Sequence, residues 1–101
     1  MGYKRGSTPT NTFTVDIDLT GATVFITYRQ KKRIVLEKSG SDVEIEPTKL
    51  TVQLTQEETL AFEPGDVEMQ IRYVFPNGQA DASEIMRTRA EAIIKDGVIE
   101  P

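Results

Sequence analysis

Apolar and polar side chains alternate along most of this chain with a repeat of two residues. The longest run places Val67, Met69, Ile71, Tyr73 and Phe75 on one side of the backbone. Successive side chains of a β-strand point to opposite faces of a sheet, whereas a helix repeats about every 3.6 residues. The pattern therefore predicts β-strands that bury one face and expose the other.

Other segments show the same alternation, and turn residues separate them at intervals of about ten residues. Their apolar sets are Phe13, Val15, Ile17 and Leu19; Val24, Ile26 and Tyr28; Ile34, Val35 and Leu36; Val43 and Ile45; and Leu50, Val52 and Leu54. Asn77-Gly78 supplies the positive φ angles of a tight hairpin. Thr55 and Glu58 fit a capping box, which predicts one short helical turn. The expected fold is all-β, an immunoglobulin-like antiparallel β-sandwich of about seven strands, with a small barrel as the alternative.

Two segments are less regular. Residues 1–11 are rich in Gly, Ser, Thr, Pro and Asn, and they predict a flexible N-terminal arm before a single sandwich domain over 12–101. In residues 82–92 the apolar side chains also fit a helix. A strand is favoured there, because Arg89 falls in the middle of the apolar helical face and a strand pairs naturally across Asn77-Gly78.

The composition argues against catalysis. The chain has no His and no Cys, so it lacks the commonest general base, the commonest metal ligand and any disulfide. A serine in Ser39-Gly40-Ser41 would have no histidine base. The carboxylates Asp16 and Asp18, like Asp42, Glu44 and Glu46, follow the polar side of strands and are interpreted as solvated surface. We expect no enzymatic activity, no cofactor and no metal.

Charge and hydropathy bear on the partners. The net charge is −4, which is unlike the basic character of nucleic-acid-binding domains. No apolar run reaches the ~20 residues of a membrane-spanning helix. We therefore expect neither nucleic acid nor membrane as a partner.

The side chains with binding potential are polar. A basic turn follows the second predicted strand, and two polar side chains project from the outer face of the long strand towards water or another subunit. The predicted interaction surface consists of Arg29, Lys31, Lys32, Arg33, Gln70 and Arg72. The basic turn can also be interpreted as a solvated hairpin tip.

Several segments carry a family resemblance. They are Thr8-Pro9-Thr10 leading into Phe13, and residues 24–30, 54–62, 67–72, 82–85 and 95–99. The most specific is LTQEETLAF followed by QIRY. Together they resemble a family of short phage and prophage proteins of Gram-positive bacteria, similar in size and pattern to the N-terminal β-domain of siphophage baseplate upper proteins. The resemblance spans nearly the whole chain and carries over no catalytic residue.

The resemblance implies a virion structural or assembly protein of the tail or baseplate region, made in the host cytoplasm. Its partners would be other virion proteins, including copies of itself. A small sandwich with exposed edge strands suits ring or tube assembly. The alternative is a module that binds carbohydrate on a host surface. Such a module would present exposed aromatic rings, for which the sequence offers only Tyr3, Tyr28 and Tyr73, two of which are interpreted as structural.

Overall fold

The computed structural model describes residues 2–101, which form two β-sheets and one short helix. The strands are β1 (Tyr3–Lys4), β2 (Thr10–Thr14), β3 (Thr23–Gln30), β4 (Arg33–Ser39), β5 (Val43–Glu46), β6 (Lys49–Gln53), β7 (Gly65–Val74), β8 (Ala80–Ala82) and β9 (Met86–Glu91). A 3-10 turn at Gly40–Asp42 precedes β5, and helix α1 (Gln56–Leu60) lies between β6 and β7.

The strand order is that of an immunoglobulin-like sandwich. The large sheet has the order β1-β9-β7-β3-β4, with β8 also paired to β7, and the small sheet has the order β2-β6-β5. In the immunoglobulin scheme β3, β7 and β9 take the places of strands C, F and G, with β4 as an added C′ strand, while β2, β5 and β6 take those of B, D and E. The predicted all-β sandwich with one helical turn is confirmed. The strands outnumber the predicted seven because β1 and β8 are only two and three residues long.

The core lies between the two sheets and follows the predicted alternation. Val24, Ile26 and Tyr28 of β3 face Leu50 and other apolar side chains across the sandwich, and all of them are buried. The Tyr28 ring packs edge-on against Phe62, with ring centroids 5.9 Å apart. Tyr28 is therefore a core residue.

The predicted capping box is present at the start of α1. The Glu58 amide donates to Thr55 Oγ1 over 3.1 Å, and the Thr55 amide donates to Glu58 Oε1 over 2.8 Å. These bonds satisfy amides that have no partner within the helix, which explains why so short a helix is stable here. Thr59 is buried, and its hydroxyl donates to the Ser7 carbonyl over 2.8 Å.

The N-terminal segment differs from the prediction. Within its described part, β1 pairs in parallel with β9, and β2 already begins at Thr10. The Arg5 guanidinium donates to the carbonyls of Phe62 (2.6 Å) and Leu60 (3.0 Å) at the end of α1. The flexible arm over residues 1–11 was thus a wrong prediction for residues 2–11, because these long-range hydrogen bonds hold the segment. Met1 lies outside the described residues.

The first predicted strand is shorter than expected. β2 ends at Thr14, whereas the alternation predicted a strand as far as Leu19. Asp18 Oδ1 accepts hydrogen bonds from the amide (2.9 Å) and the hydroxyl (2.6 Å) of Thr20, which turns the chain away from the sheet. Leu19 nevertheless remains buried, as the alternation predicted.

The C-terminal segment forms strands, and the helical alternative for residues 82–92 was wrong. β8 and β9 both pair with β7, one after the other. Between β8 and β9 the Ile71 amide of β7 donates to the side chain of Ser83, over 3.0 Å to Oγ, instead of to a backbone carbonyl of a neighbouring strand. This interruption explains why the segment has no clean repeat of two residues.

Candidate interaction surface

The outer face of the large sheet is the side that points away from the core. The cross-strand register places its side chains in rows on β3, β4, β7 and β9. It consists of Phe25, Thr27, Arg29, Ile34, Glu37, Glu68, Gln70, Arg72, Ile85 and Arg87. We refer to this set as the outer face.

Three of the six residues of the predicted interaction surface lie together on the outer face. Arg29, Gln70 and Arg72 line one groove of about 180 Å³. Ile34 and Ile85 contribute apolar side chains to the same groove. The predicted polar residues therefore surround an apolar strip, which the sequence pattern did not indicate.

Glu68 is the electrostatic centre of the outer face. Arg29 Nη2 lies 2.9 Å from Glu68 Oε1, and Arg87 Nη2 lies 3.2 Å from Glu68 Oε2. The Glu68 side chain is only 22% exposed, so these bonds form partly out of water. The positive charge of Arg29 is thus largely balanced within the chain.

Arg72 differs from Arg29. Its side chain is exposed, and among residues 2–101 it has no hydrogen-bond or ion-pair partner. Its neighbours on the face are Phe25, directly opposite it in the β3–β7 register, and Gln70. Gln70 Nε2 donates to the Ser83 carbonyl over 2.9 Å, which fixes the amide beside the groove. Arg72 is therefore a guanidinium that is free to bind a group from another molecule.

The remaining predicted residues lie elsewhere. Lys31 and Lys32 form the tip of the β3–β4 hairpin, and both have positive φ angles, 49° and 65°. This is the backbone of a tight two-residue hairpin, which usually contains Asn and Gly. Lys31 Nζ lies 3.9 Å from Glu63 Oε2. Arg33 begins β4, and these three residues do not line the groove.

Three exposed apolar side chains of the outer face were missed as binding candidates. Phe25 is 36% exposed, Ile34 is 69% exposed and Ile85 is 44% exposed. Phe25 gave a usable signal, because it occupies a polar position in the alternation of β3. Ile34 gave none, because a bulge with an extra residue on β4 brings it beside Arg29 instead of turning it inward.

The acidic residues considered in the sequence are on the surface. Asp16, Asp42, Glu44 and Glu46 are exposed. The Thr20 hydroxyl and amide donate to Asp18 and lower the pKa of that carboxyl. Within residues 2–101 no three His, Cys, Asp or Glu side chains lie close enough together to hold a metal ion. No helix in this range is long and apolar enough to cross a membrane.

Comparisons with known proteins find a solved structure that is similar to this chain. No family model and no curated protein matches the chain. A similar solved structure is the V domain of amphioxus IgVJ-C2, which is 13% identical. The match covers 93% of this chain and 100% of that chain, with a TM-score of 0.38.

Proposed function

We propose that this chain is a structural or assembly protein of a phage or prophage virion, in the tail or baseplate region. It acts without catalysis, by binding other virion proteins through the outer face of the large sheet. The family resemblance of residues 54–62 and 67–72 supports the place in a virion. The chemistry of the outer face supports protein–protein contact.

One observation carries the choice of protein as the partner. The free guanidinium of Arg72 lies among exposed apolar side chains, Phe25 on the opposite strand and Ile85 across the groove. Arginine and aromatic side chains, Phe included, are enriched in protein interfaces relative to the rest of the surface. Exposed apolar side chains gathered on one face commonly mark such interfaces.

The chemistry of the chain agrees with a non-catalytic role. Its sequence has no His and no Cys, so acid–base and nucleophilic catalysis would have to use other groups. The paired carboxylates Asp16 and Asp18 are both exposed. In catalytic pairs, different surroundings such as burial of one carboxyl usually give the two groups different pKa values.

The carbohydrate-binding alternative would need exposed aromatic rings. Tyr28 is fully buried, and Tyr3 and Tyr73 are half-buried against the core. None of the tyrosines therefore presents an open platform for a sugar ring, and the outer face contributes a single exposed aromatic ring, Phe25.

The test is the composition of purified particles. Particles released from the host that encodes the chain would be purified on a density gradient and quantified by mass spectrometry. We expect the chain at a fixed ratio to the other tail proteins. Its absence from intact particles, together with normal tail assembly when its gene is deleted, would refute the proposed function.

A pair of variants connects this test to the surface. Arg72→Glu reverses the free charge on the outer face, and Lys95→Glu makes the same charge change at an exposed residue outside it. We expect Arg72→Glu to be lost from particles and Lys95→Glu to be incorporated normally. Equal incorporation of both variants would show that the outer face is not the binding surface.

A further inference from the structure

We propose that the partner on the outer face is a second copy of this chain, related by a twofold axis that runs along the strands between β3 and β7. The inference rests on the proposed function, since it uses the same face and names its occupant. In such an interface each copy presents the same surface, and a residue and its partner exchange roles between the two copies.

The two central strands, β3 and β7, pair in antiparallel register. The side chains opposite each other on the outer face are Phe25 and Arg72, Thr27 and Gln70, and Arg29 and Glu68. Each of these is a chemically complementary pair. A twofold axis between β3 and β7 places the second copy's β7 over β3 and the second copy's β3 over β7. Every outer-face residue of these two strands therefore lies against its own register partner from the second copy. Complementarity within the sheet therefore becomes complementarity between copies.

The charged pair illustrates the result. Within one chain Arg29 already contacts Glu68 over 2.9 Å. In the proposed dimer the second copy's Glu68 lies over Arg29, and the second copy's Arg29 lies over Glu68. The four groups form a ring of alternating charge, in which every cation is beside two carboxylates. Burial between two sheets strengthens such contacts because the local dielectric constant falls.

The other two pairs are satisfied as well. Arg72, which has no partner within the described chain, meets the second copy's Phe25 ring and forms a cation–π contact. Gln70 Nε2 donates one of its two N–H groups to the Ser83 carbonyl. The other can donate to the second copy's Thr27 Oγ1, whose own proton goes to Glu37 over 3.3 Å. The same operation covers the exposed Ile34 with the aliphatic part of the second copy's Arg87.

The direction of the axis follows from Glu37. A twofold axis across the strands, through the row of Thr27 and Gln70, would place Glu37 of one copy over Glu37 of the other. The axis along the strands instead brings β4 over the second copy's β8 and β9, so the width of the sheet separates Glu37 of one copy from Glu37 of the other. Pairing through the edge of β4 is also disfavoured, because its bulge interrupts a regular ladder.

The size of the face predicts a weak dimer. Four strands about 4.8 Å apart and about five residues long span roughly 15 Å by 15 Å. That footprint is smaller than the ~800 Å² per partner of a stable specific interface. We therefore expect a reversible association that depends on protein concentration.

Sedimentation equilibrium of the purified chain tests the inference. We expect the mass to rise from the 11.3 kDa of one chain towards twice that value as the concentration increases. Arg29→Glu and Glu68→Arg should each weaken this association by about tenfold or more, because each variant sets like charges against each other in its own dimer. A one-to-one mixture of the two variants should restore dimers, since one copy then presents only carboxylates and the other only guanidinium groups.

The matched control is the ion pair on the small sheet. Lys49 Nζ lies 3.6 Å from Glu46 Oε1 there. The variants Lys49→Glu and Glu46→Lys reverse the same two kinds of charge away from the outer face. These variants should associate like the wild type, alone and mixed. Circular dichroism would verify that every variant is folded.

The outcomes separate this inference from the proposed function. A chain that remains monomeric at all concentrations, or variants whose mixture does not dimerise, would overturn the second copy as the partner. If Arg72→Glu is nevertheless lost from particles, the proposed function stands with a different partner. If the chain is also absent from particles and not needed for their assembly, both fail.

Discussion

Lys38 Nζ lies 2.8 Å from Glu58 Oε2 and 3.0 Å from Glu58 Oε1, and this contact joins the edge strand β4 to helix α1. Lys38 is only 7% exposed, which is unusual for a lysine. The same carboxylate also accepts the Thr55 amide in the capping box. Glu58 therefore combines two structural roles, one within the helix and one between the helix and the sheet.

Replacing Glu58 should destabilise the fold. Glu58→Gln leaves the Lys38 ammonium buried without its counter-charge, at a cost of about 1–3 kcal/mol in the free energy of unfolding. Urea denaturation would measure the loss. The control is Glu57→Gln on the exposed side of the same helix, for which we expect a change of less than about 0.5 kcal/mol. Equal effects of the two variants would contradict a special role for Glu58.

The ion pair also predicts a dependence on pH. Burial opposes ionisation of Glu58, but hydrogen bonds from Lys38 and Thr55 outweigh it and hold the pKa of Glu58 below its ordinary value of 4.5. A carboxyl with a lowered pKa in the folded state stabilises the fold above its ordinary pKa, and this contribution is lost as the pH falls through the lowered value. The difference in unfolding free energy between wild type and Glu58→Gln should therefore shrink below about pH 4.5. A constant difference down to pH 2 would contradict this assignment.

Removing the hydroxyl group should affect stability differently at Tyr3 and at Tyr28. The Tyr3 hydroxyl is buried and has no hydrogen-bond partner in the described chain, and burial raises the pKa of Tyr3 to about 12. Tyr28 donates to Asn11 Oδ1 over 2.8 Å. Tyr3→Phe should leave stability unchanged or raise it, whereas Tyr28→Phe should cost about 1 kcal/mol. Thermal unfolding of both variants distinguishes the two cases, and a larger loss for Tyr3→Phe would contradict the prediction.

The hairpin tip can be improved. Lys31 and Lys32 both have positive φ angles, which cost non-glycine residues energy. Changing them together to Asn and Gly (Lys31→Asn with Lys32→Gly) should stabilise the chain by about 1 kcal/mol and raise its melting temperature. The lost ion pair to Glu63 matters little, because both side chains are mostly exposed. A lower melting temperature would argue against strain at this turn.

Sequence reasoning predicted the parts of the fold that depend on local alternation. Val24, Ile26 and Tyr28 were placed in the core because their own strand carries the pattern. The first ordered segment was missed, because Arg5 finds its partners 55 and 57 residues away. The burial of Lys38 was likewise missed, since nothing near it in the sequence indicates that its ammonium lies against Glu58.

The candidate surface was also predicted only where it depends on the local alternation of a strand. Alternation placed Gln70 and Arg72 on the outer side of the long strand, where the structure has them. The balancing of Arg29 by Glu68 depends on the register between β3 and β7, which a single strand does not reveal. The exposure of Ile34 depends on a bulge, which reverses the side that an apolar residue occupies.

The parallel pairing of β1 with β9 determines how the domain bears tension. A pull applied before β1 and after β9 draws the two strands lengthwise in opposite directions, so their hydrogen bonds are loaded in shear and share the force. The Arg5 amide adds a further bond of 3.0 Å to the Glu91 carbonyl, and the Arg5 side chain anchors the same segment to the end of α1. Stretching the domain would therefore strain several linkages at once instead of opening them one by one.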